Sequence, residues 1–169
     1  MMTYRLLVDA PEVFAGGPAF IANLPRDLIR TSDQPTPTPI MIATSTDDRL
    51  MPYRGWRILR SRGLVLSAAD TAAWWARANN AGPTSAERTL PDTAPDDGCR
   101  LVVTEYAAQS NDSAPVIVIR MQGGGHAMPT RLGRTVTDSR GALGRLIGTV
   151  CNDAEGAELA WDFFSRASR

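Results

Sequence analysis

Two neighbouring carboxylates and a lone histidine are the groups in this chain best suited to do chemistry. The carboxylates lie in Thr46-Asp47-Asp48-Arg49-Leu50-Met51-Pro52-Tyr53, and the only histidine, His126, follows Gly123-Gly124-Gly125 and precedes Ala127-Met128-Pro129. An imidazole with one nitrogen held by a carboxylate keeps the other free to take a proton from a nucleophile. An acid and then a histidine, each after a strand-like run, supply two parts of an acid-base-nucleophile triad in a chain order that serine hydrolases use. The third part, a serine in a Gly-x-Ser-x-Gly turn, does not occur in the sequence. The ordinary alternatives are a solvated turn for Asp47-Asp48 and a surface-loop histidine for His126.

Such groups work only if regular elements hold them. The continuous apolar run Pro39-Ile40-Met41-Ile42-Ala43-Thr44 predicts a strand buried on both faces in a parallel sheet. Asp47 and Asp48 fall just past its carboxyl end, where ligands and catalytic groups gather in open α/β sheets. Residues 101–106 and 115–121 predict two strands joined as a hairpin through the polar Gln109-Ser110-Asn111-Asp112-Ser113, with His126 after the second.

Around these, residues 2–10 predict a helix that stops at Pro11 and packs through Met2, Leu6 and Ala10. Residues 13–22 are apolar and glycine-rich and predict a short buried strand, followed by a linker. The proline-rich residues 31–39 read as an extended lead-in. Ser67 as cap and Asp70 at the third helical position open a helix that runs through Trp74, Trp75 and Arg77 to stop signals at Asn79, Asn80 and Gly82, with both tryptophans as packing.

Residues 83–98 read as a surface excursion and residues 130–150 as an irregular loop. A last helix is predicted with Asn152 as cap, Glu155 at its third position and a stripe of Ala157, Ala160, Trp161 and Phe164 covering the sheet. Strands alternating with helices, without internal repeat, argue for the α/β class.

Composition narrows the function classes. The 169 residues suit one domain with a real core. Eighteen basic and eighteen acidic side chains cancel, which gives no electrostatic reason to expect nucleic acid or an anionic membrane as partner. No apolar run approaches the roughly 18 residues of a membrane span, and the N-terminus shows no signal-peptide pattern. Cys99 and Cys151 match no zinc or redox spacing; a disulfide and two buried thiols both stay open. The triple glycine lacks the Gly-Lys-Ser/Thr ending of a phosphate loop. A metal site built from one histidine and scattered carboxylates has no support, and no cofactor is implied.

Four segments in order carry a resemblance: Met1-Met2-Thr3-Tyr4-Arg5-Leu6 with Ala10-Pro11-Glu12-Val13-Phe14-Ala15; Thr46 to Tyr53; Gly123 to Pro129; and Asp153 to Phe164, ending in Trp161-Asp162-Phe163-Phe164. Over nearly its whole length the chain resembles the C-terminal part of the α/β-hydrolases of the polyhydroxybutyrate depolymerase and feruloyl-esterase-like branch. In that family the triad acid stands four residues before the proline of its acid segment, which maps onto Asp48, with the adjacent Asp47 as its rival. The Gly-Gly-His-x-x-Pro segment carries the triad histidine, which maps onto His126. This chain has Ala127-Met128 where the family usually has Thr-Trp, a change at the pocket rim.

The resemblance implies an incomplete α/β-hydrolase fold: residues 1–169 are expected to be the C-terminal portion of a catalytic domain, with the N-terminal strands and the nucleophile elbow absent. Its serine would stand about four residues before Met1, and the oxyanion donors would be lost with it. An open parallel sheet edge and an uncovered apolar helix face are then expected, filled by upstream sequence or by a second chain. The activity implied is that of an extracellular serine carboxylester hydrolase acting on polyester, feruloyl or short-chain esters. Trp56, near the acid segment, is a candidate wall of an acyl or aromatic pocket, with surface packing as its alternative. The rival from another class is a non-catalytic remnant or interaction module that keeps the half-fold.

Overall fold

The computed structural model describes residues 1–31, 35–58, 63–82, 87–132 and 141–167. In chain order its elements are α1 (Met2–Asp9), β1 (Gly17–Phe20), α2 (Arg26–Thr31), β2 (Ile40–Ser45), β3 (Trp56–Arg57), β4 (Leu64–Val65), α3 (Ala68–Ala78), β5 (Arg88–Thr89), β6 (Arg100–Tyr106), β7 (Val116–Gln122), α4 (Ala142–Ile147) and α5 (Gly156–Ala167). Five strands form one sheet in the order β1-β2-β7-β6-β5, and β3 and β4 form a separate two-stranded ribbon.

The sheet is mixed, not mostly parallel. Strand β2 runs parallel to β1, from Gly17 opposite Ile40 to Phe20 opposite Ala43, and parallel to β7, from Ile40 opposite Val116 to Ser45 opposite Met121. Strands β6 and β7 are antiparallel, as the expected hairpin requires, and β5 joins β6 in the same sense. Ser113 Oγ holds the connection by accepting from the amides of Gln109 and Ser110. With helices on both faces, the chain belongs to the α/β class.

Strand β2 explains the layering. All six of its residues are buried, because alternate side chains enter two different cores. Met41 and Ala43 pack with Leu101, Ile117, Ile119 and Met121 under Phe163 of α5. Ile40 and Ile42 pack with Val116 under Tyr4 and Leu7 of α1 and Trp75 of α3. Trp75 lies 5.9 Å from the Tyr4 ring and 5.0 Å from Trp74, so both tryptophans act in packing. The lead-in to β2 is extended over its described residues 35–39, and Asn79 pins it by bonding both the amide and the carbonyl of Thr38.

Several elements depart from expectation. Helix α1 is present, but Tyr4 and Leu7 face the core while Met2 and Leu6 stay exposed; the Tyr4 hydroxyl, donating to Ala22 O, selects that face. Strand β1 is only four residues of the longer run expected, and the linker after it contains α2. Residues 87–98 of the surface excursion add edge strand β5 and a 3-10 turn over Pro95–Asp97. Helix α4 occupies part of the expected irregular loop, whose residues 133–140 lie outside the described ones.

Helix α5 begins at Gly156, later than the Asn152 cap implies. Asn152 gives its amide to Asp97, and Asp153 accepts from the amides of Thr93 and Ala94, which holds residues 152–155 out of the helix. The inward residue of α5 is Phe163; of the expected stripe, Ala160 and Phe164 are partly buried against the same core, while Trp161 is 74% exposed.

Strand β1 is a sheet edge among the described residues. Its outward carbonyl at Pro18 accepts from Thr3 Oγ1, and proline has no amide hydrogen to offer there. Met2, Leu6, Val13 and Phe14 are exposed apolar residues of α1 and the segment after it.

Candidate active site

The acid segment leaves β2 at its carboxyl end and turns at once, because the Asp48 side chain organises its own backbone. Oδ1 of Asp48 accepts from the amides of Leu50 and Met51, both at 2.8 Å, an Asx-type turn that short acidic residues favour. The other oxygen, Oδ2, lies 2.7 Å from His126 Nδ1. The Asp48 side chain is 1% exposed and that of His126 33%. A buried carboxylate with both oxygens engaged orients the ring, and with Nδ1 as donor the neutral tautomer leaves Nε2 as the acceptor.

Asp47 sits differently. It is exposed, and its Oδ1 accepts from its neighbour Thr46 Oγ1 at 2.8 Å. Of the two candidate acids, Asp48 is the one that meets the histidine.

The histidine loop follows β7, the neighbour of β2, so the parallel register brings both loops to one end of the sheet. Direct bonds then tie them together: Thr46 N to Met121 O at 3.1 Å, Asp47 N to Gly124 O at 3.0 Å, and Gly123 N to Thr46 Oγ1 at 2.8 Å. The glycine run is a steric requirement. Gly123 has φ +83° and sits against Gly98 O, where an added Cβ would come within 2.2 Å. At Gly125 an added Cβ would lie 2.1 Å from Ile147 O.

That contact exists because residues 147–151 run alongside the loop. His126 N donates to Ile147 O at 2.6 Å, Gly125 N to Thr149 O at 2.8 Å, and Thr130 N to Cys151 O at 3.0 Å. Arg49 Nη1 also reaches Arg145 O of α4 at 3.2 Å, joining the acid segment to the helix that ends at Ile147. Cys151 forms a disulfide with Cys99 at the foot of β6, which closes the alternative that the sequence left open. The partners from α4 through Cys151 were missed by the sequence reading, since a backbone carbonyl carries no side-chain code.

Trp56 is 64% exposed on the β3–β4 ribbon, with the Arg26 guanidinium 5.7 Å from its ring centroid. This is a cation–π arrangement. A cleft of about 720 Å³ lies between α1, α2 and the ribbon, lined by residues including Arg5, Arg26, Ile58, Leu64 and Val65, but by neither Asp48 nor His126. The Asp48–His126 pair therefore stands apart from this cleft. Among the described residues, no group of three or more His, Cys, Asp or Glu side chains is arranged to hold a metal. No described helix is long and apolar enough to cross a membrane.

The described serines have other places. Ser45 is buried, Ser67 caps α3, Ser110 and Ser113 shape the hairpin turn, and Ser165 donates to Trp161 O of α5. Among the described residues none bonds to His126.

The site thus defines an α/β protein with an oriented aspartate–histidine pair at the carboxyl ends of two adjacent parallel strands. Comparisons of this chain with protein-family models, with curated proteins and with solved structures find no match.

Proposed function

We propose that this chain carries the acid and base of a serine carboxylester hydrolase of the α/β-hydrolase type, similar to polyhydroxybutyrate depolymerases and feruloyl esterases. The observation that carries the reading is the contact between a buried, doubly anchored Asp48 and Nδ1 of His126 at 2.7 Å. In this mechanism His126 Nε2 takes the proton of an attacking serine hydroxyl and passes it to the leaving alcohol; water then repeats the cycle on the acyl-enzyme. Asp48 holds the tautomer and stabilises the imidazolium that forms. The serine and its oxyanion donors lie outside residues 1–169, upstream in a longer polypeptide or on a second chain that also covers β1. The substrates are polyester, feruloyl or short-chain esters met outside the cell, with neither nucleic acid nor membrane as partner.

The alternative is a non-catalytic module that keeps the paired loops. It is favoured by one observation: no described serine hydrogen-bonds to His126. Fluorophosphonate labelling followed by intact-mass analysis separates the two, using this chain beside one extended upstream through a Gly-x-Ser-x-Gly turn. Adduct on the extended chain alone supports the hydrolase. Adduct on neither supports the module, and adduct on residues 1–169 refutes an external nucleophile.

A further inference from the structure

His126 is oriented on its ring side by Asp48, but the loop that carries it also needs a rigid back. Both flanks of that loop rest on two chain segments: Gly123 on Gly98 O, Gly124 against Cys151 Sγ, Gly125 on Thr149 O, and Thr130 on Cys151 O. The two segments are joined by the disulfide, with Cα atoms 5.3 Å apart, and one residue further along by a carboxylate. Asp97 Oδ1 accepts from Cys99 N at 2.7 Å, and its Oδ2 accepts from Asn152 N at 2.7 Å. The carboxylate therefore spans the same gap as the disulfide, from residue 99 to residue 152.

We propose that Asp97 is a positioning residue for His126, acting through the strap of residues 149–152; the proposal rests on the reading of Asp48 and His126 as the working pair. The chemistry of the group supports this. Two backbone amides on different segments point at one side chain, one at each carboxylate oxygen, so a group with two separate acceptor oxygens meets both in its present position. A carboxylate does so with charge-assisted bonds, the stronger kind. An asparagine has one acceptor and must turn its own NH2 toward one of the amides. Gly98, in the left-handed region with φ +73°, makes the sharp turn that lets Asp97 reach back to Cys99 N. The exposed neighbour Asp96 lies on the same 3-10 turn, has no hydrogen bond across this gap and serves as the control.

The test uses the histidine as its own reporter, because its imidazole signals are unique in this chain. The far-downfield proton on Nδ1, bonded to Asp48, is followed by NMR together with the 15N shifts that report the tautomer. Water-exchange of that proton is measured for the native chain, Asp97→Asn, Asp97→Ser and Asp96→Asn. Asp97→Asn is expected to raise the exchange rate at least tenfold, Asp97→Ser by a similar factor, and Asp96→Asn by less than twofold.

Native exchange and tautomer in a folded Asp97→Asn chain overturn the proposal while leaving the Asp48–His126 pair intact. Absence of the bonded Nδ1 proton in the native chain, with no change on Asp48→Asn, overturns the pair and the clamp with it. The disulfide still joins the segments in every variant, so unfolding of both Asp97 variants also overturns the proposal, assigning Asp97 to global stability instead of to the histidine.

Discussion

Removal of the Cys99–Cys151 bridge tests how the lead-in to β6 is joined to the segment before α5. The disulfide closes a loop of 52 residues in sequence separation, which on loop-entropy grounds stabilises the folded state by about 4 kcal/mol at 25 °C. Both cysteines are buried, at 0% and 1% exposure, among Leu101, Met121, Ala154 and Phe163, so alanines in their place keep the site apolar and leave no buried polar group unpaired. Against the roughly 5–15 kcal/mol typical of a whole domain, that loss is a large share.

Urea denaturation of the oxidised chain beside the double variant Cys99→Ala, Cys151→Ala measures it. With a slope of about 2 kcal/mol per M, the midpoint is expected to fall by about 2 M, and the slope itself to rise as the unlinked unfolded chain exposes more surface. Amide exchange adds a local readout: protection at Gly125 and His126 should fall more than at Ile42, whose partners are all within the sheet. A midpoint shift under about 0.5 M, with equal loss of protection at both places, refutes the reasoning.

Four further outcomes follow from the same contacts. Asp48→Asn should lower the esterase rate of a nucleophile-containing form by roughly 10⁴-fold, the size of effect that loss of tautomer control has in Ser-His-Asp enzymes, while exposed Asp47→Asn leaves it within about twofold; steady-state kinetics decide. Gly125→Ala, which drives a Cβ onto Ile147 O, should destabilise by about 1–3 kcal/mol in urea melts and disturb the His126 resonances. Phe163→Ala should cost about 3–5 kcal/mol and Trp161→Ala under about 0.5, and equal costs would contradict the face of α5 described above. Burial raises the Tyr4 phenol above its ordinary value, so the unfolded chain loses this proton first: stability should fall as pH rises past about 10, and Tyr4→Phe should flatten that alkaline limb in pH-dependent melts.

How much of this was legible before the structure depends on what each signal encodes. The β2 run and the β6–β7 hairpin were legible because apolar continuity and a polar turn are local patterns, and Ser67 with Asp70 because a cap is a four-residue motif. Asp48 and His126 were legible as residue types at strand ends. Their contact needed the pairing of β2 with β7, which sequence spacing does not state.

What failed was the choice of face on α1 and part of the stripe on α5, where short helices offer two plausible stripes and tertiary partners decide: Tyr4 bonds Ala22 O, and Phe163 enters the core beneath Ile117 and Met121, joined by Ala160 and Phe164 of the expected stripe but not by Trp161. Asn152 misled for a related reason. It has the chemistry of a helix cap, but Asp97 claims its amide from 55 residues away.

The arrangement also explains why an antiparallel pair belongs in this sheet. The acid and the histidine both leave parallel strands, β2 and β7, so their loops emerge at the same end. A parallel neighbour on the far side of β7 would send its own carboxyl end there too. Antiparallel β6 instead presents its beginning, and with it Pro95 to Cys99, at that end. The chain thereby gains a rigid lead-in beside the histidine loop, carrying Asp97, Gly98 and Cys99, which meets residues 149–152 returning toward α5. Strand β7 serves both halves: one edge aligns His126 with Asp48, and the other sets the disulfide and the Asp97 carboxylate behind it. If the paired loops do proton transfer, that back support limits how far the imidazole strays from its working position, and positional errors of about 1 Å cost on the order of 100-fold in rate.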